Sequence, residues 1–169
     1  MALFTTPIKS LNDLFLHTLK DMYYAENQIV KSLPKMIEKA HDPTLRSTLE
    51  SHLSETKQQV TRLEQIFQGL GEKAQGATCA AMDGILDEAK DVMSDIGDPN
   101  VLDAGMLSAA QAVEHYEISR YGTLRTWAAE LGHRDIVKLI EETLGEEKKT
   151  NDVLTKLAEN GVNQHAQAA

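Results

Sequence analysis

The sequence holds one cysteine, Cys79, so no internal disulfide can form. That fits a reducing compartment, and the expected localisation is cytoplasmic. Four prolines in 169 residues leave long stretches free to be helical, and a 5% aromatic content leaves the core to aliphatic side chains. No apolar run approaches the ~20 residues of a membrane span. No basic segment followed by an apolar one opens the chain, so no signal peptide is expected. Positive charge is also scarce. The 17 Lys and Arg face 26 Asp and Glu, for a net charge of −9. Nucleic acid and anionic membrane are therefore not expected as partners, while cations remain plausible ligands.

What is abundant is Ala, Leu, Glu and Lys, in helical periodicity. Ser10, with Asp13 three residues on, opens a first helix near Leu11. Its inward stripe is Leu11, Leu14, Phe15, Thr18, Met22, Glu26, Ile29, Leu33 and Met36, and Pro34 is expected to kink its end. Asp42 and Pro43 start a second helix, which closes at Gly69 or Gly71. Its stripe is Leu45, Leu49, Leu53, Thr56, Val60, Leu63, Phe67 and Leu70, with His52, Glu55 and Gln59 along one edge. A Gly-containing loop leads to a short amphipathic helix over 80–96, expected to cross one end or side of the core and cap it. After Gly97 and Pro99, Asn100 is read as the cap of a third long helix ending at Gly132. The fourth spans 134–158, with the stripe Ile136, Ile140, Thr143, Glu147, Thr150, Leu154 and Leu157. The expected fold is all-α: a four-helix bundle of two antiparallel hairpins with a short crossover helix between the second and third long helices. The domain is expected over 1–160, and 161–169 is expected to be a poorly ordered polar tail.

The third long helix carries the pattern the rest is organised around. Its stripe is Met106, Ala110, Val113, Glu114, Glu117, Tyr121 and Leu124, with two acids where apolar residues belong. Buried carboxylates must be paired, protonated or bound to a metal. Ala109, Ala110 and Ala112, one turn earlier, leave room for something other than a side chain. Glu26 and Glu147 sit centrally in the first and fourth stripes, and Glu55 lies beside the second. Taken singly, such an acid usually sits at the stripe's edge, in water or paired. Every long helix carries one, however, and in a bundle they converge. Like charges repel by on the order of 4 kcal/mol per pair at 4 Å and partial burial. Two divalent cations bridged by carboxylates remove the conflict, and oxygen-rich donors suit iron, manganese or magnesium. Glu142 and Glu146 are read as solvated and His115 as a surface residue. Tyr23, Tyr116 and Tyr121 are read as packing residues, and Cys79 as a small loop residue without a base beside it.

The stretches LKDMYYAENQI, HLSETKQQVTRLEQIF, AAQAVEHYEISRYGTL and TLGEEKKTNDVLTKLAE resemble the YciE/YciF-like bacterial family of ferritin-like stress proteins. Glu114-x-x-Glu117 resembles the doubled acid of rubrerythrin-like third helices. The resemblance implies a ferritin-like bundle, a homodimer, a stress role and a di-metal site, with iron first and manganese second. It assigns Glu114 and Glu117 as bridging or chelating ligands and Glu26 and Glu147 as terminal ones. Glu55 and Gln59 would complete the remaining position. The oxidation of Fe(II) by oxygen or peroxide is the activity it implies. A vestigial or structural site acting through a partner surface is the alternative, and peroxide dismutation at manganese a third. The chain departs from the ferritin-like Glu-x-x-His in both places. Gln58 follows Glu55 and Thr150 follows Glu147 at i+3, which leaves Gln59, Gln58 or His52 to replace the histidine on the second helix.

Overall fold

The computed structural model describes residues 7–169, so the first six residues of the domain expected over 1–160 lie outside it. Among the described residues every regular element is helical. α1 (Leu11–Lys39) opens with a reciprocal cap, in which Ser10 Oγ accepts from Asp13 N and the Asp13 carboxylate accepts from Ser10 N. It continues unbroken through Pro34, where a kink or restart was expected. Pro34 is exposed, and buried Leu33 and Met36 anchor the helix on both sides of it. α2 (Pro43–Gly69) begins on Asp42, which accepts from Thr44 N and Leu45 N.

A three-residue turn makes α1 and α2 antiparallel neighbours. Far from that turn, Tyr23 Oη donates to Glu64 and the Tyr23 ring meets Phe67 edge-on. α4 (Pro99–Glu130) and α5 (Arg134–Leu157) form a second such pair, tied by Gln111 to Thr155 and by Arg125 to Glu141. Asp98 caps α4, not Asn100. Pro99 has no N–H to offer and takes the first helical position, which puts the cap one residue before it. Gly132, at φ 80°, supplies the left-handed turn into α5. The two pairs meet α1 to α4 and α2 to α5.

α3 (Ala80–Asp95) lies alongside α1 and α4. Tyr24 Oη donates to Asp83 and Lys39 Nζ to Met93 O, so α3 runs in the direction of α1. It can lie this close to α4 because of Gly105, where a Cβ would meet Val92 and Ile96 side chains at 2.7 and 2.9 Å. The C-terminal segment is not the loose tail expected. A kink at Asn160 and Gly161, within Ala158–Val162, leads into α6 (Asn163–Gln167), which packs back on α4, and buried Val162 anchors it. Among the described residues no helix is long and apolar enough to cross a membrane.

The interior is layered along the helices. One apolar cluster holds Phe15, Leu19, Leu63, Phe67, Leu124 and Ile140. The other holds Ile29, Leu33, Leu49, Met82, Met106 and Leu154. In each long helix the residues between these two sets are the buried polar ones: Glu26 in α1, His52, Thr56 and Gln59 in α2, Glu114 and Glu117 in α4, Glu147 and Thr150 in α5.

Candidate metal centre

Each helix delivers its polar residue to one depth because its apolar stripe locks the rotation. In α4 the stripe is continuous from Met106 through Ala110 and Val113 to Tyr121 and Leu124, all buried, so Glu114 and Glu117 can only face inward. Leu144 and Leu154 do the same for Glu147 in α5, and Met22 and Ile29 for Glu26 in α1. His52, Glu114, Glu117 and Glu147 each present one ligand atom, and these atoms lie within 4.8 Å of one another. The closest approach to the imidazole is 3.2 Å, from His52 Nε2 to Glu114 Oε1.

Glu26 adjoins this group at Glu117, and its Oε1 accepts from the Tyr121 hydroxyl. Glu26, Glu114, Glu117 and Glu147 have no solvent exposure. Glu55 is half-buried at the margin, its Oε2 3.4 Å from Thr150 Oγ1. Gln59 is buried and Gln58 exposed. The Gln59 amide donates to Glu147 and, at 3.0 Å, to Glu146, so it faces an acid and holds it in place.

Burial dominates the electrostatics. It pushes the Glu114 carboxyl up to about 11, with the charge of Glu147 adding to the rise. Glu117 and Glu26 are raised well above the usual carboxylate range by burial and then by Glu147. Glu147 rises less, to about 7, because the protonated Glu114 carboxyl beside it and, after that, the Gln59 amide oppose its burial. Burial also drives His52 down to about 4, which leaves a neutral imidazole, the form that binds a metal. Among the described residues, no donor reaches either oxygen of Glu114 or Glu117, or Oε2 of Glu26 and Glu147, and His52 Nδ1 is likewise without a partner. Buried polar atoms are ordinarily satisfied, so this many unmet lone pairs at one place fit a cation. The cluster could hold a metal ion.

Sequence reasoning did not find Arg62 in this layer. Arg62 is buried in α2, and its guanidinium donates to Thr143 at 2.7 Å, to both oxygens of Glu146 at 2.9 and 3.0 Å, and to Glu142 at 2.8 Å. Glu142 and Glu146, expected to be solvated, are thus its partners. Burial lowers the Arg62 pKa, and its bonds to Glu146 and Glu142 more than restore it. The signal was present: Arg62 stands at i+3 from Gln59 on one helical edge, and Glu142 and Glu146 at i and i+4 on the facing helix. Cys79 is buried at the start of α3, with Sγ 2.9 Å from Tyr116 Oη.

Protein YciF of Escherichia coli (strain K12) is 41% identical over 161 residues, 95% of this chain and 97% of its own length. The crystal structure of that stress protein aligns with a TM-score of 0.88, covering 93% of this chain and 99% of the other. YcfI from Rhodopseudomonas palustris is 52% identical, with a TM-score of 0.88 over 90% of this chain and 98% of its own. A Xanthomonas campestris protein at 21% identity shares the fold, with a TM-score of 0.72 over 94% and 98% of the two chains. The resemblance to YciF-like proteins therefore holds over nearly the whole length. The model of the family described as "Domain of unknown function (DUF892)" matches residues 10–167, and the chain belongs to that family.

Proposed function

We propose that this chain is a ferritin-like four-helix bundle, with α3 as its crossover helix, built around a carboxylate-rich di-metal site for iron. Manganese suits the same donors. One observation carries the reading: a neutral imidazole and a set of fully buried carboxylates converge with most of their lone pairs unmet. His52, Glu114, Glu117 and Glu147 would hold the metal, and Glu26 extends the donor set. When bound there, iron would supply redox chemistry towards oxygen or peroxide, and Fe(II) is the proposed reductant. The chain's own residues have separable tasks. Gln59 orients Glu147, the Tyr121 hydroxyl orients Glu26, and Glu55 stands at the margin with Thr150. A stress-associated role is proposed by likeness to YciF, which is described as a stress protein. A cytoplasmic homodimer is part of the same proposal.

Metal analysis of protein purified without chelator or nickel affinity tests this. About two equivalents of iron per chain, lost on His52→Ala, is the expected result. No metal after iron-replete expression overturns it. One feature favours a second reading, a structural site with function in a partner surface: Thr150 stands three residues after Glu147, where the ferritin-like pattern has its second histidine. Bound iron without oxygen uptake on Fe(II) addition would select it.

A further inference from the structure

A cavity touches the cluster at His52 and Glu114. It lies among α1, α2, α3 and α4, and offers about 20 Å³ to the centre of a water-sized sphere. Ile29, Leu33, Met36, Leu86, Ala110 and Val113 line it, with Ser32, His52 and Glu114. A space in which the centre of such a sphere can move is large enough for one water, but a water also needs two to four polar partners. Here the exposed wall is apolar, because the polar atoms of His52 and Glu114 lie behind it. Such a cavity stays dry and favours a small uncharged guest. It also rejects a bare cation, which would lose its hydration for nothing.

Two details give the cavity a direction. Every lining residue is buried except Ser32, which is half-exposed and marks the mouth. The inner end is made by His52 and Glu114, two members of the polar cluster. Ala110, one turn before Glu114, has the smallest side chain of the lining, so it is the position at which a longer one would take up space.

We propose that this cavity binds a small uncharged molecule of the size and polarity of dioxygen, entering past Ser32 and reaching the cluster on its His52–Glu114 side. The binding claim stands on the cavity alone; its use as the oxidant's route rests on the metal reading above. Xenon separates the two, because it tests the cavity in metal-free protein. In crystals of the metal-free chain under xenon pressure, one xenon atom is expected between Leu33, Leu86 and Val113. Ala110→Leu should abolish it, and Ala110→Val should reduce it if the larger change fails to fold. No xenon in the parent, or unchanged xenon in a folded Ala110→Leu, overturns the proposal. In iron-loaded protein, Ala110→Leu should slow oxygen consumption several-fold with iron content unchanged. Xenon bound in the parent, lost in the variant, but with an unchanged oxidation rate, overturns the route.

Discussion

The two sides of the polar layer satisfy their acids in different ways. On the α1–α4 side, Glu26, Glu114 and Glu117 are fully buried, and the Tyr121 hydroxyl is the hydrogen-bond donor that reaches them among the described residues. On the α2–α5 side a relay leads outward: Glu147 takes the Gln59 amide, the same amide touches Glu146, and Arg62 holds Glu146 and Glu142. The consequence shows in the carboxyls themselves. Glu114 is pushed up to about 11, whereas Glu147, equally buried from solvent, rises only to about 7. Burial alone therefore does not set the charge state of this layer. What separates the two acids is what each one faces: Glu147 meets the protonated Glu114 carboxyl and then the Gln59 amide, the inner end of that chain of donors, whereas Glu114 meets the charge of Glu147.

Cutting that chain should have the largest effect. Arg62→Ala leaves Thr143 without its donor and Glu146 with the Gln59 amide alone. Removing one partner of a buried ion pair is strongly destabilising, and partial access of water to Glu146 places this case at the lower end, about 3 kcal/mol. Urea unfolding of parent and variant at pH 7 measures it. A loss under about 1 kcal/mol would mean that the acids simply rehydrate, and the contrast between the two sides would disappear.

The opposite sign is expected across the layer. Glu117 has no donor and the metal-free fold must keep it protonated, so Glu117→Gln removes that cost while keeping the shape. It should stabilise metal-free protein by on the order of 1–3 kcal/mol at neutral pH. The pH dependence follows from the raised carboxyls. Folded protein binds protons that the unfolded chain, with carboxyls near 4.5, has released. Their contribution is complete below about pH 4.5 and is lost as pH rises, first through about 7 at Glu147. His52 acts the other way, since its folded value is lowered to about 4: its contribution is complete above about 6.5 and lost as pH falls. The acids outnumber it, so metal-free stability should fall with rising pH between 5 and 8, at about 1.4 kcal/mol per unit for each net proton. Glu117→Gln should flatten that slope by one proton's worth. Unfolding in chelator across this pH range checks both, and a variant less stable than the parent at pH 7 would remove the case for a dry cluster of acids.

The same contrast explains what could be read from the sequence. On α1, α4 and α5 the acids sit inside clean apolar stripes, so the periodicity that names the core also names Glu26, Glu114, Glu117 and Glu147 as inward. On α2 the interior positions go to His52, Gln59 and Arg62, while Leu53 and Val60, expected inward, are only half-buried. A periodicity argument follows apolar residues, so it rotates such a helix away from its true buried face. For that reason the sequence leaves His52 and Gln59 both open, and Arg62 is passed over because a lone arginine reads as solvated, although it stands at i+3 from Gln59. The C-terminal segment was misread for a related cause. Val162 is one apolar residue among polar ones, too little for a pattern yet enough to anchor a helical turn on α4.

The smallest expected effect sharpens the comparison within the relay. Arg62 has two acidic partners of unequal standing. Glu146 is 22% exposed and shares its carboxylate with the Gln59 amide, whereas Glu142 is 61% exposed and touches only the guanidinium among the described residues. An exposed carboxylate gains little from a pair, because water already solvates it and salt screens what remains. Glu142→Gln should therefore change stability by no more than about 0.5 kcal/mol, and that change should vanish in high salt. Glu146→Gln should cost more and resist salt, because Arg62 then keeps Thr143 and only its outer acidic partner, and Gln59 faces one charged acceptor instead of two. Thermal unfolding of both variants at low and high salt separates them. Equal, salt-sensitive losses would show that the relay ends at the surface of α5 and does not extend inward to Glu147.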